Sequence, residues 1–156
     1  MTQSRPTIFV VDDDEDIRQL LRTMAEIGGL DIKVYDSAET FWMAYHSSQP
    51  QCLVLDVQLP GISGLDLLER LVASKANFPV IMMSGYADVA TAVQAMRLGA
   101  KDFFQKPFNI QLLLRRIRQV IEQDDKPDEQ KHGLSGKVLY GSQSGDVGVA
   151  QKRRVY

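Results

Sequence analysis

The sequence predicts an α/β domain: a doubly wound, five-stranded parallel sheet with five helices, in three layers. Three observations predict it. Short runs of aliphatic and β-branched residues alternate with stretches of helical periodicity, five of each, over residues 1–124. Most of those runs are apolar throughout rather than alternating, as strands covered on both faces must be. The runs also stop on polar residues, which sets those residues on the carboxyl rim of the sheet, where ligands bind in such folds.

In chain order, residues 7–11 form a buried strand that runs into Asp12, Asp13, Asp14, Glu15 and Asp16. Ile17, Leu20, Leu21, Met24 and Ile27 then recur at helical spacing until Gly28 and Gly29. Asp14 is a natural N-cap, and Glu15 and Asp16 suit the positive end of the helix dipole. Capping leaves unexplained why Asp12 and Asp13 stand together at the strand end. Residues 30–35 alternate and suit a strand nearer the sheet edge. Ser37 caps a helix whose Ala38, Phe41, Trp42 and Tyr45 read as core. Residues 52–56 form the third strand and stop on Asp56, with a turn at Pro60-Gly61 and a helix on Leu65, Leu68, Leu71 and Val72. Residues 79–83 form the fourth strand, ending on Ser84-Gly85. Asp88 then caps a helix with Val89, Ala92, Val93 and Met96 on one face, closed by Gly99. Residues 102–105 form a short fifth strand ending on Lys106-Pro107, and Asn109 caps a last helix on Ile110, Leu113, Leu114, Ile117 and Ile121. Beyond residue 124 the chain turns charged and breaker-rich, so 125–156 is expected to be a linker or tail, poorly ordered or a short hairpin.

Composition sets limits on function. A 44% hydrophobic content supports a full core, and a net charge of -2 argues against nucleic-acid binding by this chain. A single cysteine, Cys52, excludes an intrachain disulfide and a cysteine-cluster metal site. No stretch has the layout of a signal peptide or the length of a membrane span, so the expected location is the cytoplasm, away from membranes. The glycines at 141 and 145 lack the Gly-Lys-Ser/Thr ending of a phosphate-binding loop. The basic triplet at 152–154 is too short to argue for DNA contact.

The strand ends supply Asp12, Asp13, Asp56, Ser84 and Lys106. If the first and third strands are neighbours, three carboxylates converge, and they need a cation or a shared proton. Lys106 is one candidate. A divalent ion is the other, and oxygen-only ligands fit Mg²⁺. So balanced, Asp56 can attack phosphorus while the Ser84 hydroxyl donates to a phosphoryl oxygen.

The pieces Val10-Val11-Asp12-Asp13, Leu55-Asp56-Val57-Gln58-Leu59-Pro60-Gly61-Ile62-Ser63-Gly64, Met83-Ser84-Gly85-Tyr86 and Phe103-Phe104-Gln105-Lys106-Pro107-Phe108 together resemble the receiver domain of two-component response regulators, over residues 5–123. Ser84-Gly85-Tyr86-Ala87-Asp88 and residues 92–100 look most like the branch that regulates nitrogen fixation and nitrogen metabolism. The resemblance implies a flavodoxin-like sheet in the order 2-1-3-4-5. It implies that Asp56 accepts a phosphoryl group from a sensor histidine kinase. Mg²⁺, with Mn²⁺ as a substitute, would be held by Asp13, Asp56 and the backbone carbonyl of Gln58, with Asp12 partly through water. Lys106, before a cis bond to Pro107, and Ser84 would stabilise the phosphoryl group, and Phe103 would turn inward. Gln58 and Tyr86 would tune the lifetime of the phosphoryl group. The face made of the fourth helix, fifth strand and fifth helix would change, controlling a partner or a phosphorylation-dependent homodimer, with Asp102 and Arg116 as a possible dimer pair. Ser84 and Phe103 stand where threonine and tyrosine are commoner, yet they keep the hydroxyl and the ring.

Regulation of transcription is then the expected output in a full-length context. Residues 125–156 hold no helix pair of the DNA-binding type, and no effector domain is recognisable there. Beyond its own phosphorylation and dephosphorylation, no enzymatic activity is expected. The alternative is a haloacid-dehalogenase-like phosphatase with Asp12 as nucleophile, although the Thr or Val expected after its second acid is missing.

Overall fold

The computed structural model describes residues 5–86 and 88–124. Strands and helices alternate throughout: β1 (Thr7–Val11), α1 (Glu15–Gly28), β2 (Asp31–Tyr35), α2 (Ala38–Tyr45), β3 (Cys52–Asp56), α3 (Gly64–Ala73), β4 (Val80–Ser84), α4 (Val89–Leu98), β5 (Asp102–Gln105) and α5 (Ile110–Asp124). The five strands pair in parallel in one sheet, ordered β2-β1-β3-β4-β5. A compact unit runs to Ile121 and a second begins at Glu122, of which only the end of α5 is described. The expected linker or hairpin at 125–156 lies outside the described residues.

The twofold period of a strand divides the core in two. Phe9, Val11, Leu53, Leu55 and Met82 face α2, α3 and α4, meeting Phe41, Leu67, Leu68, Leu71 and Ala95. Ile8, Val10, Val54, Ile81 and Met83 face α1 and α5, meeting Leu21, Met24, Leu113 and Ile117. Each fully buried large side chain contributes roughly 1.5–3 kcal/mol. The central strands β1, β3 and β4 are therefore apolar on both faces, while the edge strand β2 leaves Asp31 and Lys33 exposed.

The caps fall where the side chains dictate. Asp14, Ser37 and Asp88 accept from the amides of Asp16, Thr40 and Ala90, and Asn109 Oδ1 accepts from Leu112 N. Gly29 and Gly99 end α1 and α4 in the left-handed region.

Helical periodicity misplaces several side chains. Of the residues at helical spacing in α1, Leu21 and Met24 are buried, together with Ala25, while Leu20 and Ile27 are exposed. Leu20 sits about 100° round the helix from Leu21, at the edge of the inward stripe. In α3, Leu67 points inward and Val72 outward. In α4, Val89, Val93 and Met96, which share one face, are exposed, and Ala95 is the buried residue of the helix. A small residue on the inner side lets α4 lie close to the sheet, so its larger apolar side chains point outward.

Candidate functional site

Strand register brings the polar ends level. Val11 pairs with Leu55, so Asp12, one residue on, comes level with Asp56. Asp56 pairs with Met83, and Ser84 with Gln105, which puts Lys106 one step beyond Ser84. Main-chain bonds continue past the strands: Asp12 N to Tyr35 O at 3.0 Å, Val57 N to Met83 O at 2.8 Å and Lys106 N to Ser84 O at 2.7 Å. The Lys106–Pro107 peptide is cis.

Among the described residues Asp12, Asp56 and Ser84 are the buried polar ones, and all three are at most 3% exposed. Lys106 Nζ donates to Asp12 Oδ2 at 2.7 Å and lies 3.2 Å from Asp56 Oδ2. The other Asp12 oxygen accepts from Asp14 N at 2.8 Å. Asp56 Oδ1 has no such partner; among the described residues it is the one buried side-chain oxygen or nitrogen without a hydrogen bond. Burial, and then the Asp12 charge, push the Asp56 carboxyl up to about 6, against the opposing pull of Lys106 and the Gln58 amide. Burial works against the Lys106 charge, but the bond to Asp12 and the charges of both carboxylates outweigh it and raise its pKa.

The Ser84 hydroxyl donates to Gln58 Oε1 at 3.1 Å and accepts from Tyr86 N at 3.1 Å. Asp13 is exposed and borders an open cleft of about 440 Å³, lined also by Val57, Gln58, Leu59, Pro60 and Ser63. Phe103 is half-buried against the core on the α2–α4 side. Tyr86 meets this cluster through its backbone amide, and its side chain is exposed. Asp102 and Arg116 lie apart from the cluster and pair with each other within the chain at 2.7 Å.

Three contacts were not foreseen from the sequence. Arg18 Nη1, from the first turns of α1, donates to the Asp12 carbonyl at 2.8 Å. Glu39 Oε2, from α2, accepts from Ile62 N at 3.1 Å in the loop after Asp56. Gly64 approaches the strand so closely that a Cβ there would lie 2.0 Å from the Asp56 carbonyl oxygen. Only the glycine offered a signal in the sequence, as a small residue opening a helix.

Oxygens of Asp12, Asp13 and Asp56 lie within 4.8 Å of one another. A hard divalent cation fits this set: the donors are all oxygen, and Asp56 Oδ1 is buried with its acceptor capacity unspent. Asp12, with one oxygen on Lys106 and the other on a backbone amide, is poorly placed to act as a nucleophile.

A family profile described as the response regulator receiver domain matches residues 8–118. The chain is 39% identical over 116 residues to the transcriptional regulatory protein FixJ of Bradyrhizobium diazoefficiens, covering 74% of this chain and 57% of that protein. It is 40% identical over 115 residues to the C4-dicarboxylate transport transcriptional regulatory protein DctD of Pseudomonas aeruginosa, covering 74% of this chain and 25% of that protein. Among solved structures, full-length FixJ from B. japonicum superposes with a TM-score of 0.76 at 34% identity, covering 87% of this chain and 66% of that one. The chain thus spans about a quarter to two thirds of the length of these relatives. None of these matches supports the phosphatase alternative.

Proposed function

The chain belongs to the response regulator receiver family, and we propose that it is a phosphorylation-activated switch in which Asp56 accepts a phosphoryl group from a phosphohistidine on a sensor histidine kinase. The observation that carries this reading is the split environment of the Asp56 carboxylate. One oxygen is held by Lys106, and the other is buried without a partner.

In this reading an oxygen of the Asp56 carboxylate forms the bond to phosphorus as the bond from phosphorus to the histidine nitrogen breaks. Asp13, Asp56 and the Gln58 backbone carbonyl, with Asp12 partly through water, would hold Mg²⁺ or Mn²⁺. The ion supplies neutralising charge for the phosphoryl oxygens. Lys106 keeps a positive charge beside the same oxygens. Ser84 must exchange its bond to Gln58 Oε1 for one to the phosphoryl group, and Phe103 follows into the space behind it. That exchange is the local event that biases the surface beyond. Gln58 and Tyr86, both tied to the Ser84 hydroxyl, would set access of water to the acyl phosphate.

The responding surface is the face of α4, β5 and α5; Val89 and Met96 of α4 and Leu112 of α5 are exposed. We assign to it a phosphorylation-dependent homodimer, with the Asp102–Arg116 pair able to exchange across the interface. Regulation of transcription in a full-length context is the proposed output, by analogy with FixJ and DctD. Among the described residues no helix is long and apolar enough to cross a membrane, and the proposed setting is the cytoplasm.

The test is incubation with acetyl phosphate, followed by intact mass. A phosphoryl adduct that needs Mg²⁺ and disappears in Asp56→Asn supports the reading. An adduct that persists in Asp56→Asn refutes it.

A further inference from the structure

Resting on the reading of Asp56 as phosphoryl acceptor, we infer that Glu39 is a positioning residue for the site, pinning the loop between β3 and α3 from outside. That loop carries Gln58, whose side chain holds the Ser84 hydroxyl and whose carbonyl is a proposed ligand. Its ends are fixed by Val57 N on Met83 O at 2.8 Å and Gly64 N on Val57 O at 2.9 Å. Across residues 59–62, the one backbone hydrogen bond among the described residues is from Ile62 N to Glu39 Oε2, at 3.1 Å.

The carboxylate sits directly on the turn. Gly61 has φ +73°, and a Cβ there would lie 2.6 Å from the same Glu39 oxygen. The anchor itself is firm. Glu39 stands in the first turn of α2, and the buried Ala38 and Phe41 fasten that turn to the core. A charge-assisted bond from a packed helix to an otherwise unpaired turn is how a framework preorganises a loop. Glu39 is remote in sequence from Asp56 and acts through Ile62 and the loop rather than by touching the reacting atoms.

The test compares the full chain with Glu39→Ala and Glu39→Gln. Three properties are measured: amide exchange at Ile62, affinity for Mg²⁺ alone by calorimetry, and the thermal midpoint. Glu39→Ala is expected to speed Ile62 exchange and weaken Mg²⁺ binding at least about threefold. Its thermal midpoint should move little. Glu39→Gln, which keeps a carbonyl acceptor, should restore most of both losses. Wild-type Mg²⁺ affinity in Glu39→Ala overturns the inference alone, as does an equal loss in both variants that tracks the thermal midpoint. Absence of Mg²⁺ binding in the wild type overturns the functional reading and this inference together.

Discussion

Asp56 is held in a state that costs folding energy near neutral pH. Its carboxyl is raised to about 6 in the folded chain, so between the ordinary carboxylate range and that value the folded state binds a proton the unfolded chain does not. Stability from this group is therefore greatest at low pH and falls as pH rises through the window. Asp56→Asn should accordingly be more stable than the wild type near neutral pH without divalent metal, by about 1–3 kcal/mol. The advantage should vanish below about pH 4, read by urea denaturation at several pH values. The same proton competes with a cation, so Mg²⁺ affinity should drop as pH falls through about 6. Lys106 makes the complementary case, because among the described residues it alone bridges the two buried carboxylates. Lys106→Met should destabilise the metal-free protein by about 3 kcal/mol, and Mg²⁺ should recover more stability in the variant than in the wild type. A variant as stable as the wild type in chelator would refute this charge balance. Asp12, Asp13, Asp56, Ser84 and Lys106 were legible in the sequence because each ends an apolar run. Arg18 and Glu39 were not, since each is an ordinary helix residue until the fold sets it against a distant backbone group.

At the scale of the elements, the β3–α3 connection closes on a tight approach. Gly64 opens α3 against the carbonyl of Asp56, and a methyl group there meets backbone at 2.0 Å. Gly64→Ala must displace either the helix start or the strand end that carries Asp56, and a loss of more than about 2 kcal/mol is expected in thermal or urea unfolding. A loss within about 0.5 kcal/mol would mean the approach is looser than described. Strand bounds and caps were readable because strand runs, Asp, Ser, Asn and Gly carry strong local signals. Helix faces were less so. Periodicity finds an apolar stripe but not what lies opposite it: Val89, Val93 and Met96 share one face of α4, yet they are exposed and α4 buries Ala95.

At the scale of the whole molecule, the strand order β2-β1-β3-β4-β5 places the switch point between β1 and β3. There the Asp12 and Asp56 ends meet in a crevice, as expected of an open parallel sheet. That order came from family resemblance, since periodicity alone does not choose among parallel arrangements. The outward apolar residues of α4 give the molecule a surface that water does not favour. If this surface serves the activated dimer, Val89→Glu should leave monomer stability within about 0.5 kcal/mol. It should also abolish the dimer seen by size exclusion after acetyl phosphate and Mg²⁺. A variant that still dimerises would move the interface elsewhere.

Asp56, rather than Asp12 or Asp13, is the proposed carrier of the phosphoryl group. Borohydride reduction of the phosphorylated protein converts an aspartyl phosphate to homoserine, and peptide sequencing by mass spectrometry then locates it. Homoserine at position 56, dependent on Mg²⁺, is the predicted result. Homoserine at position 12 or 13, with Asp56 intact, would contradict the account.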